Sequence, residues 1–193
     1  MRLAVLASGK GSNLAAIAEA IHRGELNATI QVVIYNNPEA GVVQKAETYG
    51  LPTVLLNHRT FESREALDTA IIETVQAHQA DWVIMAGWMR RVTAVLIDAF
   101  PRRVLNIHPS LLPSFPGVRA VEQALAAGTK ITGCTVHYVE LVVDSGPIIM
   151  QAAVPVRSDD TAATLQTRIQ VQEHQIYPAA IALAGQQSLT ASE

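Results

Sequence analysis

The chain has 193 residues, of which 49% are hydrophobic and 16% charged, and its formal net charge is −3. That length suits one domain with a large core, and so low a charged fraction excludes a disordered or tail-like chain. The negative balance argues against a broad nucleic-acid or anionic-membrane surface, and a single cysteine excludes both an internal disulfide framework and a cysteine-built metal cluster.

The chain opens on a short apolar run, residues 2–7, that reads as a buried strand. It is too short for a signal-peptide core or a membrane span, so a cytoplasmic setting is expected. A Gly/Ser turn and an amphipathic helix from about Ser12 to Arg23 follow. Next come a strand from Ile30 to Tyr35, the turn Asn36-Asn37-Pro38, a helix carrying Ala46 and Tyr49, and a strand Thr53–Leu56. Leu67, Ile71 and Val75 sit at helical spacing and predict a long helix over Phe61 to His78. Trp82–Ala86 and Val104–Ile107 read as strands four and five, with the short helical stretch Ala94–Phe100 between them.

Continuous apolar strands alternating with helices predict an α/β fold of Rossmann-like, three-layer type: a mostly parallel central sheet with helices on both faces. After about residue 130 the pattern changes. Thr132–Val139 and Ile148–Val156 flank the loop Glu140–Pro147, which predicts an antiparallel C-terminal extension. Cys134 lies in that apolar run and reads as a buried structural thiol. A closing helix is expected from about Thr161 to Ala184, with a kink at Tyr177-Pro178, then a polar, frayed tail over 186–193. Without repeats or linkers, residues 1–193 read as a single domain.

Ligands of open α/β sheets sit beyond the carboxyl ends of the strands. This rule selects the loops Ser8–Asn13, Gly87–Arg91, Asn106–Gly117 and Glu140–Pro147. In Ser8-Gly9-Lys10-Gly11-Ser12-Asn13 two glycines permit a tight turn, and a helix N-terminus follows. The Walker A spacing is absent and Leu14 occupies the third glycine position of a dinucleotide fingerprint, so a phosphate monoester is the better match. A plain strand–helix turn remains the bland alternative.

Asn106 and His108, two apart at a strand end, project to one side, and Pro109 and Pro113 stiffen the loop behind them. A histidine donates a proton near neutral pH, and an asparagine amide donates to a developing oxyanion. The bland alternative is a turn asparagine beside a strand-end histidine with its hydrogen bonds satisfied. Asp144, opening the turn Asp144-Ser145-Gly146-Pro147, reads either as an ordinary Asx-type turn or as a carboxylate placed beside His108. The remaining histidines, His22, His58, His78, His137 and His174, fall in no metal-ligand spacing, so no metal is expected.

Taken in order, these motifs resemble the phosphoribosylglycinamide formyltransferase family. The resemblance runs from Val5-Leu6-Ala7-Ser8-Gly9 to Val171-Gln172-Glu173-His174-Gln175-Ile176-Tyr177-Pro178. It is carried most specifically by Ser8–Asn13, Ala86-Gly87-Trp88-Met89-Arg90, Asn106–Pro113 with Pro116-Gly117, and Asp144–Pro147. The resemblance implies a formyltransferase fold and transfer of a formyl group from 10-formyltetrahydrofolate, as co-substrate, to the amine of glycinamide ribonucleotide. It implies Asn106, His108 and Asp144 as the catalytic centre, and Gly11, Ser12 and Asn13 as the phosphate site. Gln170, Val171, Gln172 and Glu173 would meet ribose and glycinamide, with Glu173 near the amine. Met89, Arg90, Arg91 and Val92 would contact folate together with Asn106, Glu140, Leu141, Val142, Val143 and Asp144, and Arg64 would meet its acidic tail. On residue type alone, Glu173 reads as a solvated helix face and Arg64 as half of an i,i+4 pair with Asp68.

The partners implied are small molecules, with neither nucleic acid nor membrane, and the expected state is a monomer or weak homodimer. Two departures from the family pattern stand out. Val118-Arg119-Ala120 occupies a stretch that commonly contains a histidine, and Glu140-Leu141-Val142-Val143 is more apolar than the usual Thr/Asp-rich folate loop. Formyltetrahydrofolate hydrolase and methionyl-tRNA formyltransferase are the rivals within the superfamily, the first with a regulatory domain in front, the second with a C-terminal RNA-binding domain. A strand starting at Arg2 and a last helix ending soon after Ala184 fit neither.

Overall fold

The computed structural model describes residues 1–190. Its strands are β1 (Arg2–Ala7), β2 (Thr29–Tyr35), β3 (Thr53–Leu55), β4 (Trp82–Met85), β5 (Val104–His108), β6 (Ile131–Tyr138) and β7 (Ile148–Pro155). The helices are α1 (Ser12–His22), α2 (Val42–Thr48), α3 (Arg64–Ala77), α4 (Ala94–Ala99), α5 (Ala120–Ala126) and α6 (Ala162–Thr190). The strands form a sheet of order β3-β2-β1-β4-β5-β6-β7. β1 pairs in parallel with β2 and β4, β4 with β5, and β2 with β3, whereas β6 and β7 are antiparallel. The mostly parallel sheet with an antiparallel extension agrees with the expectation from apolar patterning.

The chain divides into two compact units, Met1–Asn106 and Ile107 onward, the division falling inside β5. In the first unit β1 and β4 are buried along almost their whole length. A strand buried at every position has both faces covered, which is why Leu3, Val5, Trp82 and Ile84 show no polar alternation. In the second unit Val121 of α5, Cys134 of β6, Val154 of β7, and Leu165 and Ile169 of α6 make a common apolar cluster. Cys134 is fully buried there, and burial pushes its thiol up to about 12, as expected of a structural thiol.

Two differences from the sequence reading concern helices. Helix α5 was not expected, although the run Ala120 to Ala127 is rich in alanine and Gly128 follows with a positive φ of 67°, the usual stop for a helix. Helix α6 continues past Pro178 and through Thr190, so 186–190 extend the helix instead of fraying, and the remainder of that expected tail lies outside the described residues. Polar residues late in a helix do not end it when no glycine or proline follows them. Among the described residues no helix is long and apolar enough to cross a membrane.

Candidate active site

The first unit presents two loops that share a serine. Gly11 caps α1 at φ 75°, and a Cβ there would stand 2.8 Å from Val42 Cγ2 and 2.9 Å from Val42 Cα. Only glycine fits that turn, on backbone and on space. The first turn of α1 carries no acidic residue and no side-chain cap, so the N-terminal end of the helix dipole favours an anion. Ser12 is half-buried and Asn13 buried. Ser8, just before this turn, donates its N–H to Gly87 O at 3.0 Å, and its Oγ accepts the Met89 N–H at 2.9 Å.

The loop after β4 is thus held at its start by Ser8. Its far end is held by Asp68, a buried α3 carboxylate that accepts the Thr93 N–H at 2.6 Å while the Thr93 hydroxyl caps α4. Burial pushes the Asp68 carboxyl up, against the pull of the Thr93 hydrogen bonds. Between these anchors Met89, Arg90 and Arg91 are exposed and Val92 is half-buried. Arg64 is exposed in the first turn of α3 and, among the described residues, makes no ion pair with Asp68, which is turned inward onto Thr93. Asn106 is half-buried on β5.

The second unit holds a cluster of side chains from β5, β6 and a loop. Asp144 Oδ2 accepts the Gly117 N–H at 2.7 Å and lies 3.3 Å from His108 Nδ1. Its Oδ1 lies 3.6 Å from His137 Nε2, a charge contact longer than a hydrogen bond. The side chains of His108, Asp144 and His137 are 6%, 8% and 2% exposed, so these charges interact with little solvent screening. Burial pushes the Asp144 carboxyl up. The His137 edge, the Gly117 N–H and the imidazole charges pull harder and leave it below the ordinary carboxylate value.

Main-chain carbonyls complete both histidines. His108 Nε2 is 2.8 Å from Phe115 O, and His137 Nδ1 is 2.8 Å from Tyr138 O. A carbonyl oxygen only accepts, so the ring nitrogen that faces it is the donor in each histidine. Asp144 sits at φ 54°, a left-handed position that aspartate tolerates better than most residues, and Gly146 follows it where a Cβ would come within 1.9 Å of Tyr138 O. The tight turn and the close approach together place the carboxylate against both rings.

The loop behind His108 is pinned rather than loose. The Thr135 hydroxyl donates to Ser110 O at 2.7 Å and accepts the Leu112 N–H at 3.0 Å. Gln151 Nε2 donates to Leu112 O and to Thr135 Oγ1, and Ser110 Oγ donates to Ser114 O. Elsewhere in this unit Leu141, Val142 and Val143 are exposed apolar residues on the β6–β7 loop, preceded by the exposed Glu140. On α6, Val171 is exposed, Gln170 and Gln172 are half-buried, and Glu173 is buried at 5%. A solvated helix face is therefore wrong for Glu173, whose charge acts on Cys134 and on the buried Tyr177, where burial is the larger influence.

The structure brings His108 and Asp144 together as the sequence reading required. His137 was considered there only as a metal ligand and dismissed, yet it stands on the same carboxylate. Its signal was available: Thr135 and His137 are polar, two apart, and embedded in a strand otherwise reading as apolar. Ser8 and Phe115 were missed because their contribution is a hydroxyl between loops and a main-chain carbonyl, neither of which residue type announces.

Against this geometry, comparisons with known proteins agree with one another. The signature of the formyl transferase family matches residues 1–181. The trifunctional purine biosynthetic protein adenosine-3 of Bos taurus is 46% identical over 94% of this chain, which spans only 18% of that relative's length. Phosphoribosylglycinamide formyltransferase of Bacillus subtilis is 39% identical, with 93% of this chain and 92% of that one covered. The crystal structure of glycinamide ribonucleotide transformylase 1 from Symbiobacterium toebii matches with a TM-score of 0.93 at 46% identity, covering 94% of this chain and 86% of that one.

Proposed function

The chain belongs to the formyl transferase family, and from that membership we propose that it transfers the formyl group of 10-formyltetrahydrofolate to the amine of 5'-phosphoribosylglycinamide, a step of de novo purine biosynthesis. The observation that carries this reading is the buried Asp144 carboxylate 3.3 Å from His108 Nδ1, the arrangement needed to keep an imidazole charged beside a developing oxyanion. In this reading residues 1–193 work as a single formyltransferase domain in the cytoplasm, as a monomer or weak homodimer, on small molecules and without a metal.

The neutral amine attacks the formyl carbon directly, and the carbonyl electron pair moves onto oxygen. Asn106 and His108 donate hydrogen bonds to that oxyanion, and Asp144 keeps His108 protonated and oriented. Because His108 Nε2 faces Phe115 O, it exchanges that carbonyl for the oxyanion when substrate binds. Collapse of the intermediate breaks the bond to the folate nitrogen, which takes a proton while the amine loses one, leaving tetrahydrofolate and the formylated product. The chain supplies no electrons, only positioning and charge.

Gly11, Ser12 and Asn13 hold the substrate phosphate, supported by the uncapped α1 N-terminus. Gln170, Val171, Gln172 and Glu173 contact ribose and glycinamide. Folate is met by Met89, Arg90, Arg91 and Val92, by Asn106, and by Glu140, Leu141, Val142, Val143 and Asp144, with Arg64 on its acidic tail. The exposed apolar side chains of Met89, Leu141 and Val142 support contact with an aromatic ring system.

The test is the absorbance change of tetrahydrofolate formation with and without the glycinamide acceptor. Turnover that depends on the acceptor is expected; turnover without it would make the protein a hydrolase, and none with it a binding module. His108→Ala should lower kcat by about 10²-fold or more with little effect on phosphate-substrate affinity, and a near-wild-type kcat would sink the mechanism.

A further inference from the structure

In the first unit the chain leaves β1 for β2 and β3 on one side and returns through β4 and β5 on the other, so the strand order reverses between β1 and β4. Ligands of open α/β sheets sit at such a reversal, beyond the carboxyl ends of the strands. The side chain that ties the two strands together there is Ser8. We propose that the Ser8 hydroxyl is a shared binding group: it donates its proton to the phosphoribosyl group of the acceptor while it holds the folate loop through Met89, so that each substrate tightens the other. This rests on the reading above, in which the acceptor takes the β1–α1 turn and folate meets Met89–Val92.

The ladder between β1 and β4 continues past the strands. The Ala86 N–H donates to Leu6 O at 2.8 Å, and the Ser8 N–H donates to Gly87 O at 3.0 Å. At the next step a side chain replaces the main-chain acceptor, and Ser8 Oγ takes the Met89 N–H at 2.9 Å. A serine in a plain turn puts its hydroxyl on main-chain groups a few residues away. This one reaches a residue 81 positions along the chain. A hydroxyl has one proton to donate besides the lone pairs that accept. Among the described residues the Ser8 proton has no acceptor, and the half-buried side chain is open to a ligand.

The acceptor has to pass this hydroxyl. Its phosphate belongs at Gly11–Asn13, after β1, and its amine reacts beside Asn106, which pairs with Met85 of β4. Neighbouring strands stand about 4.8 Å apart, so β1 and β5 are about 10 Å apart with β4 between them, and the ribose bridges that span over the β1–β4 edge. On the folate side, Met89 opens a loop whose far end Asp68 fixes through the Thr93 N–H. A hydroxyl oxygen whose proton is drawn toward an acceptor becomes a better acceptor itself, because hydrogen bonds in a chain polarise one another. Binding of the phosphoribosyl group therefore strengthens the hold of Ser8 on Met89. Folate that orders Met89 returns the same factor to the acceptor, since coupling between two ligands is reciprocal.

Calorimetric titrations with ribose 5-phosphate and tetrahydrofolate, a pair that cannot react, measure the coupling in wild type, Ser8→Ala and Ser8→Thr, with thermal unfolding as the folding control. In wild type, saturation with either ligand should tighten the other about fivefold, by the same factor in both directions. Ser8→Ala should abolish that factor and weaken ribose 5-phosphate alone about threefold. Threonine keeps the hydroxyl and should restore the factor. A serine that merely shapes the turn would behave differently: its loss would weaken each ligand separately and leave the coupling in place. Two ligands that bind wild type without coupling, or a factor that survives in folded Ser8→Ala, would overturn the proposal even if formyl transfer is intact. Wild type that binds neither ligand would defeat the function itself, and the proposal with it. Should the alanine variant fail to fold, Ser8→Cys decides: its thiol is a weak donor and a weak acceptor, and most of the factor must disappear.

Discussion

The β1–α1 turn, proposed above to take a phosphate, and the His108–Asp144–His137 cluster are built by opposite means. The β1–α1 turn uses main chain: a glycine at φ 75° and a helix end whose dipole favours an anion. The cluster uses side chains from β5, β6 and the β6–β7 loop, buried and set on one carboxylate. The first depends on a local conformation, the second on long-range packing. A main-chain site is therefore damaged through conformation and a side-chain site through chemistry.

The largest effect should come from the carboxylate. Asp144→Asn keeps the shape but removes the charge, and should cut kcat by about 10³-fold while the affinity for the phosphate-bearing acceptor changes by less than about twofold. Equal losses in both would erase the distinction between the two regions. The same variant tests linkage. The Asp144 carboxyl is lower in the folded protein than in the unfolded chain, so its stabilisation is present above the ordinary carboxylate range and lost as pH falls through the folded value. Denaturant unfolding should show wild type leading the variant near neutrality and that lead shrinking in acid; a lead that grows in acid would reverse the sign.

A smaller and opposite pattern is expected in the turn. Gly11→Ala forces a Cβ against Val42 and an unfavourable φ, and should destabilise the fold by about 2 kcal/mol and raise KM for the phosphate-bearing substrate about tenfold, with kcat changed less. Wild-type stability in that variant would show that the turn relaxes freely. The smallest effect is at Ser8, whose Oγ accepts one hydrogen bond from Met89 N–H. Ser8→Ala should cost about 1 kcal/mol of loop order and raise KM for folate a few-fold at constant kcat, measured by steady-state kinetics with folate varied.

The order of the elements was legible because each rests on local rules. Val5-Leu6-Ala7 followed by Ser8-Gly9 marks a strand and a turn wherever it occurs, and Leu67, Ile71 and Val75 mark a helix. Helix α5 escaped because its evidence was propensity alone, in a run with no strong apolar stripe. The pair Asn106 and His108 was visible from its spacing, whereas Asp144 looked like any turn aspartate until it was found 3.3 Å from His108. Family resemblance supplied that partner in advance, and residue type did not.

What the sequence by itself determined is the α/β pattern, the two-glycine turn, and the residue types able to hold a phosphate and to move a proton. Those follow from backbone sterics and from side-chain chemistry, which each residue carries with it. Only the tertiary structure decided that His137 shares the Asp144 carboxylate, that Asp68 anchors Thr93 instead of pairing with Arg64, and that Glu173 is buried. Each depends on which distant segments pack together, because burial and the Coulomb energy between charges are set by distance in space, and separation along the chain does not fix that distance.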